Sequence, residues 1–226
     1  MIANLDSRLG RILRRLRPTD FLVMLGTAIL VGISTGLLAV LFIRLIELIR
    51  GFSQQIIECT GTTTIMLLTM AAAGLAGGNL IQLRAPEPKG RGIPEVMEAV
   101  ALRRGHFPAR VILTKMLAAA ITIGAGGSAG REGPIVQIGA AMGSTIGRLI
   151  HFSSEQRRTI VACGAAAGVS AAFNAPIAGA FFALEVVLGK LTVCYFSAVV
   201  ISAVSAAIIG RIFLGDLTAF QVPIYS

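Results

Sequence analysis

The feature that most constrains this chain is an apolar run from Phe21 to Phe42 that contains no charged residue. A helix of that length crosses the ~30 Å hydrocarbon core of a bilayer. The apolar pattern continues through the next eight residues, IRLIELIR, which predicts a long and tilted helix, and a polar connection is expected at 51–62. Thr63–Ile81 and Leu191–Leu214 are two further predicted spans. The sequence therefore predicts an all-α, multi-pass integral membrane protein.

The composition excludes an ordinary soluble domain. Only 14% of the residues are charged, against roughly 25% in soluble domains, and the mean hydropathy is +0.82. The net charge of +9 does not indicate nucleic-acid binding, because the chain has no Trp and only 6% aromatic residues to stack on bases. The arginines instead cluster at the ends of apolar segments, as topology-setting charges do. These clusters are Arg8–Arg17, Arg103–Arg110 and Arg148–Arg158.

Residues 1–19 are predicted to form a short, basic, amphipathic helix on the cytoplasmic face, and a disordered basic tail is the alternative. Five arginines precede the first span, so the N-terminus is expected in the cytoplasm. The stretch does not fit a signal peptide, because its basic part and the following apolar run are too long. Residues 20–226 are predicted to form one transmembrane domain.

Several apolar segments are too short, or barely long enough, to cross a membrane as single helices. Glycine or proline interrupts them, which predicts broken and re-entrant helices. Irregular backbone at membrane depth is tolerated only where it is buried in protein or lines a wet cavity, and broken helices often mark a transport site. The short segments are Ile93–Leu102, Ala109–Gly124 (apolar except for Lys115), Pro134–Ile150, Thr159–Phe173 and Pro176–Leu188.

Two other patterns indicate structure more than chemistry. The spacings Gly32–Gly36, Gly143–Gly147 and Gly164–Gly168 predict close helix packing. The three cysteines have no metal-ligand spacing and are interpreted as small buried side chains. Neither a metal site nor a cofactor is therefore predicted.

Two loops place glycines just before a proline that opens a helix, namely KGRGIPE (Lys89–Glu95) and GREGP (Gly130–Pro134). Proline suits the first helical turn, and glycines let the backbone amides turn toward one point. The helix dipole adds partial positive charge, so each N-terminus is a candidate anion site that needs no buried full cation. FNAPIAG (Phe173–Gly179) lacks such glycines and is interpreted as a capped, broken helix. The predicted anion-binding residues are Gly90, Arg91, Gly92, Ile93, Gly130, Arg131 and Gly133.

Arg131 and Glu132 stand in a stretch that otherwise avoids charge. A carboxylate beside inward-pointing amides is a built-in anion. Glu132 is therefore predicted to occupy the place that a permeating anion would use, and to act as its gate. The alternative is an Arg131–Glu132 pair that only neutralises itself, but adjacent residues seldom face each other, and intramembrane charges are usually functional.

The motifs GSAGREGPIVQIG, GRGIPE and FNAPIAGAFFALE, in this order and spacing, resemble the CLC family of chloride channels and proton-coupled chloride exchangers. The resemblance covers nearly all of the chain from about Phe21 onward. It implies a voltage-gated-type channel or an exchanger for chloride or another small anion, with protons as a second candidate substrate. It also implies a homodimer in a bacterial-type inner membrane, with subunits of two inverted halves. The chain resembles only the first half, so we expect a truncated pore domain.

Two positions depart from the family's pattern. The commonest form of the first loop is GSGIP, whose serine contacts the central anion. This chain has Arg91 there, which either strengthens anion binding, shifts selectivity toward another anion, or points away to the cytoplasm. Exchangers often carry two consecutive glutamates after FNAP, and here Glu185 matches the first while Val186 replaces the second. Glu185 is therefore the candidate for a proton pathway, and channel and exchanger both stay open.

Two alternative functions remain. Because half of a pore need not conduct, the chain alone is alternatively a non-conducting membrane fragment or an assembly module of a CLC protein. GGSAG (Gly126–Gly130) also fits the G-x-S-x-G pattern of a serine nucleophile. Both histidines lie beside arginines in predicted surface loops, and Lys115 is the only plausible intramembrane base. An intramembrane serine hydrolase is thus a remote alternative, and no enzyme is predicted.

Overall fold

In a computed structural model, residues 18–60, 63–84, 92–189 and 193–215 are described, and every regular element among them is helical. This confirms the predicted all-α class. The predicted amphipathic helix at 1–19 lies outside the described residues except for its last two, which belong to the first helix. The helices are α1 (Pro18–Thr60), α2 (Thr63–Arg84), α3 (Ile93–Ala101), α4 (Arg110–Gly124), α5 (Glu132–Leu149), α6 (Ser154–Phe173), α7 (Pro176–Phe182), which continues into a π-helical turn at Ala183–Val187, and α8 (Val193–Leu214).

The first helix is longer than predicted. The polar connection expected at 51–62 is wrong for 51–60, because α1 runs without a break for 43 residues to Thr60. Residues 51–60 contain no proline, and the glutamines and isoleucines among them are compatible with a helix. Polarity alone therefore does not end this helix.

Two helices in the described part of the chain are long and apolar enough to cross a membrane, over Phe21–Ile56 and Tyr195–Leu214. They correspond to the first and last predicted spans. The helix predicted at Thr63–Ile81 is also present as α2, but its apolar part, Leu67–Gln82, is shorter than either of those two. That α2 spans the membrane therefore stays a prediction.

Three helices are too short to cross a bilayer, as the glycine and proline interruptions predict. Helix α3 has 9 residues, α4 has 15 and α7 has 7, and an α-helix rises only 1.5 Å per residue. The polar stretch 151–158 is only partly a turn, since α6 already begins at Ser154. Ser153 and Gln156 form a reciprocal capping box there, which starts the helix inside the polar stretch.

The predicted small-residue spacings are packing sites. At the crossing of α5 and α6, a Cβ added to Gly139 would fall on the carbonyl oxygen of Gly164, and a Cβ on Gly164 would fall on that of Gly139. On α1, a Cβ added to Gly32 would lie 2.6 Å from the carbonyl oxygen of Ser202 on α8. Because glycine has no side chain, these backbones can touch. Close packing of this kind drives helix association in a membrane, where the hydrophobic effect does not.

The outer faces of the long helices are apolar. On α1, Leu22 is 67% exposed, while Phe42 and Val31 of the same helix are fully buried. A helix that is apolar on both its buried and its exposed sides is typical of a membrane span. Further exposed residues on α1 and α8 are Leu30, Ile33, Leu37, Leu41, Val204, Ile208, Ile212 and Phe213.

Candidate functional site

Two glycines bring the predicted anion loops together. Gly92 caps α3 with a φ of 77°, and a Cβ added there would lie 3.3 Å from the Cα of Gly133 in the first turn of α5. The converse distance, from a Cβ added to Gly133 to the Cα of Gly92, is 3.5 Å. The N-terminus of α3, with Ile93, and the N-terminus of α5 thus meet backbone to backbone. Of the predicted anion-binding residues, Gly90 and Arg91 lie outside the described part of the chain.

Neither of these N-termini is capped by a side chain. Helix α3 begins after Gly92 with Pro94 in its first turn, and α5 begins after Arg131, whose φ and ψ are −77° and −13°. In both cases the N-cap residue makes no side-chain hydrogen bond to the first turn. Helices leave these amides without partners inside the helix, and the helix dipole makes them attractive to anions. The geometry therefore offers two anion-attracting ends at one place.

The Glu132 side chain folds back over the GREGP loop. A Cβ added to Gly130 would lie 2.8 Å from the Oε2 atom of Glu132 and 3.5 Å from its carboxyl carbon. The absence of a side chain at Gly130 therefore provides the room in which this carboxylate lies. Glu132 is exposed at this position.

Arg131 does not neutralise its neighbour. Its guanidinium carbon lies 5.7 Å from the ring centroid of Phe173, at the end of α6, which is a cation–π distance. Among the described residues no salt bridge joins Arg131 to Glu132. This orientation argues against the alternative that the two charges form a self-contained pair.

The mouth above Glu132 is basic. A cavity of about 290 Å³ opens between α1, the end of α4 and the GREGP loop, and its charged lining is Glu47, Arg50 and Arg131. Glu47 accepts a hydrogen bond from Arg44 at 3.2 Å, and Arg44 also donates to the carbonyl of Phe213 at 3.0 Å. Two arginines, Arg50 and Arg131, line this cavity against one carboxylate, Glu47. This excess of positive charge favours the approach of anions.

Glu185 lies on the π-helical turn Ala183–Val187 and is exposed. This turn packs against α3, and its last residue, Val187, lines a cavity with Val100 and Ala101 at the end of α3 opposite Gly92. Single π-helical turns are frequent at functional positions. The FNAP segment behaves as expected, since Asn174 ends α6 with a φ of 54° and accepts a hydrogen bond from Nε of Arg211 at 2.6 Å. This geometry is that of a helix end and a turn more than that of a ligand-binding site.

The serine-hydrolase geometry is not assembled. Ser128 follows the C-terminus of α4, whereas His106 precedes its N-terminus; 15 residues of helix separate them by ~22 Å. His151 is equally remote, because it follows the far end of α5. Lys115 forms an ion pair with Glu95 at 3.5 Å. No described group of the three is placed to activate Ser128.

One cluster of buried and half-buried polar side chains was not predicted from the sequence. Glu95 is 7% exposed and Gln137 is 2% exposed; Nε2 of Gln137 donates a hydrogen bond to Oε2 of Glu95. Lys115 completes the group with its ion pair to the same oxygen. A signal was available, since Lys115 and Gln137 are isolated polar residues in apolar helices, and such residues require buried partners.

Comparison with known proteins gives a consistent result. Residues 73–226 match the family described as voltage gated chloride channel. The chain is 40% identical over 161 residues to a ClcB-like chloride channel protein of Ralstonia nicotianae, a match that covers 70% of this chain and 38% of that protein. It is 35% identical over 229 residues to the H(+)/Cl(−) exchange transporter ClcA of Yersinia pestis bv. Antiqua, covering 96% of this chain and 48% of the transporter. The chain thus spans about half the length of its curated relatives, or less.

Solved structures show the same architecture. A slow cyanobacterial Cl−/H+ antiporter superposes with a TM-score of 0.75 at 29% identity, covering 89% of this chain and 50% of that one. A CLC-type fluoride/proton antiporter superposes equally well, with a TM-score of 0.75 over 93% of this chain and 52% of the other. At 24% identity, the second likeness shows the fold alone.

Proposed function

Because the chain belongs to the CLC family of chloride channels and proton-coupled chloride exchangers, we propose that it forms part of the pathway of an integral membrane protein that moves chloride or another small anion. The observation that carries the proposal is the meeting of two uncapped helix N-termini at Gly92 and Gly133, with the Glu132 carboxylate lying over Gly130. The relatives named above as H(+)/Cl(−) exchangers support anions and protons as substrates.

Partial charges are well suited to hold an anion in transit. Backbone amides and two helix dipoles stabilise a small anion without the large desolvation cost of a buried ammonium or guanidinium. They also bind it less tightly than a full cation would, and conduction needs binding weak enough for the ion to leave. We propose that the amides of the α3 and α5 first turns, at Ile93 and Gly133, serve this role. Gly90, Arg91, Gly130 and Arg131 stay in the proposed site as loop residues.

Glu132 is the proposed gate. Its carboxylate is the proposed competitor for the anion, because it carries the same charge and lies over Gly130 in the loop that leads into α5. When it moves away or becomes protonated, an anion can take its place. Proton uptake and anion movement then depend on one residue, and Glu185 is the proposed second protonatable group for an exchanger.

Anion flux from liposomes that contain the purified chain tests the gate. For Glu132→Gln, which cannot ionise, we expect chloride efflux to persist while its dependence on pH disappears, because the glutamine side chain keeps the size of a protonated glutamate but has no carboxylate to gain or lose a proton. Glu47→Gln is the matched control, since it removes another exposed carboxylate at the same mouth. A glutamine variant at 132 that kept the wild-type pH response would contradict the proposal.

The same assay addresses a second candidate function. The chain spans 38–48% of the curated relatives, which favours a role as a non-conducting assembly module when the chain acts alone. Such a module leaves chloride efflux at the rate of protein-free liposomes. In that case the pathway requires a second polypeptide segment, and the subunit of the proposed homodimer is larger than this chain.

We also propose a cytoplasmic N-terminus. The face that carries Glu155 and the start of α1 would then be inside, and the face that carries Glu47 and the gate would be outside, because α6 and the intervening length of α1 separate them by ~30 Å or more. Cysteines placed at positions 7 and 155 are expected to react with an impermeant maleimide only from the cytoplasmic side, and one at position 47 only from outside. The reverse labelling pattern would overturn this orientation.

A further inference from the structure

Two buried polar side chains and one half-buried lysine join three helices directly behind the proposed anion site. Glu95 lies on α3, Lys115 on α4 and Gln137 on α5. Nε2 of Gln137 donates to Oε2 of Glu95, and Nζ of Lys115 lies 3.5 Å from the same oxygen. The Glu95 side chain is 6% exposed and that of Lys115 is 14% exposed, so water screens the group very little.

The position of this cluster along the helices is specific. Glu95 follows Gly92 by three residues, and Gln137 follows Gly133 by four residues. Each side chain therefore sits about one helical turn, ~5.4 Å, behind the glycine at which its helix meets the other. The hydrogen bond crosses between α3 and α5 at the first place where side chains, and not glycines, face each other.

Helix α3 also buries Val96, Ala99 and Val100 in the core, but apolar packing is not directional. The helix has only 9 residues, and no side chain caps its N-terminus. The Gly92–Gly133 contact involves only backbone atoms and does not by itself fix a direction. A hydrogen bond between a carboxylate and an amide has a preferred geometry, so it can fix the direction of one helix relative to the other.

We infer that Glu95, Lys115 and Gln137 form a clamp that positions the N-termini of α3 and α5 so that their first-turn amides converge on one anion. Gln137 and Glu95 hold the two helices, and Lys115 compensates the carboxylate, whose uncompensated charge behind the site would repel the ion. These are positioning residues, and their role in anion binding rests on the function proposed above.

Breaking the hydrogen bond tests the clamp. Gln137→Leu is expected to lower the affinity of the purified chain for chloride, measured by titration calorimetry with sodium chloride, by about tenfold or more, because the amides no longer converge. The exchanged pair Glu95→Gln/Gln137→Glu keeps one amide, one carboxylate and the nearby lysine. It should restore affinity to within about threefold of wild type.

A matched control separates positioning from stability. Ser144 is a buried polar residue of the same helix, and it accepts a hydrogen bond from the amide of Phe107 and donates one to the carbonyl of Gly105, at the far end from the site. Ser144→Ala should lower the unfolding temperature as Gln137→Leu does, but it should leave chloride affinity within about twofold of wild type. Should Gln137→Leu fail to fold, Gln137→Asn replaces it, because its shorter amide no longer reaches Glu95.

A second readout does not depend on chloride. Spin labels at Met97 on α3 and Leu149 on α5, both exposed, report the distance between the helices in a background without the native cysteines. Gln137→Leu should broaden or shift that distance distribution, and the exchanged pair should restore it. If the wild-type chain binds no chloride, the proposed function falls, and the distance distribution alone decides the clamp. If Gln137→Leu lowers only the unfolding temperature and leaves affinity and distances unchanged, the inference is overturned.

Discussion

At its N-terminus α5 begins with Glu132 beside glycines and has no side-chain cap, whereas its last turn carries Arg148 and leads at once into the capped start of α6. Near the far end, Ser144 ties α5 to Gly105 and Phe107, and Ser153 and Gln156 cap α6. The far end of the helix is thus held by side-chain hydrogen bonds, whereas its first turn has no side-chain cap. A binding site made of backbone amides needs a helix that is held in place, and it also needs amides without partners, because amides that already have partners cannot bind an ion.

The two ends also differ in how glycine is used. At the α5–α6 crossing, Gly139 and Gly164 allow a tight backbone contact inside the fastened region. At the proposed site, Gly92 and Gly133 bring two helix starts together, and Gly130 leaves room for the Glu132 carboxylate. The glycines at the α5–α6 crossing let the two helices pack rigidly. The glycines at the proposed site leave a space that an anion or a side chain can fill.

The largest effect is expected from Gly164→Ala. The added Cβ would fall on the carbonyl oxygen of Gly139 and lie 2.7 Å from its carbonyl carbon, so two rigid backbones must separate. We expect a loss of at least ~3 kcal/mol of unfolding free energy, which is the upper range for overpacking. Urea unfolding in detergent, followed by circular dichroism, measures this loss.

The control for that variant is Gly26→Ala on α1. Among the described residues nothing lies within 4 Å of a Cβ added at Gly26. Alanine is also the better helix former by about 1 kcal/mol. This variant should therefore be as stable as wild type or slightly more stable. Equal destabilisation by both variants would show that the α5–α6 crossing is not a fixed contact.

A smaller loss of stability but a clear functional effect is expected from Gly92→Ala. The φ of 77° disfavours any residue with a Cβ by about 1–2 kcal/mol, and the added atom would also press on the Cα of Gly133 at 3.3 Å. Gly189→Ala is the matched control, because Gly189 has a φ of 61° and nothing described within 4 Å of the added atom. Both should lose similar stability, and only Gly92→Ala should weaken chloride binding in calorimetry.

Much of this comparison could be predicted from the sequence. The two loops with glycine before proline, and the charge of Glu132, indicate the proposed anion site because glycine, proline and helix dipoles act locally along the chain. Asn174, before a proline, likewise predicts the end of α6. These features depend on neighbouring residues, so a single sequence reveals them.

The remaining features depend on contacts between distant segments. Gln137 and Glu95 are 42 residues apart, and nothing in the spacing of either residue shows that their helices meet. The continuation of α1 to Thr60 was missed because polar residues suggest a loop, although a helix that leaves the apolar region tolerates them. The orientation of Arg131 toward Phe173 is likewise set by the packing of α6.

The smallest effect is expected from Glu155→Gln, which sharpens the contrast between the two faces. Glu155 is an exposed carboxylate like Glu132, but its side chain is 68% exposed and pairs with Arg158 at 3.2 Å at the capped start of α6. Exposed ion pairs of this kind contribute about 0–1 kcal/mol, so the unfolding free energy should change by less than about 1 kcal/mol. Chloride flux and its pH response should stay at wild-type values, because the helix N-terminus beside this carboxylate is already capped by Ser153. Measured in the same liposomes as Glu132→Gln, a loss of pH response in both variants would mean that surface charge in general, and not the carboxylate at the uncapped helix start, sets the gate.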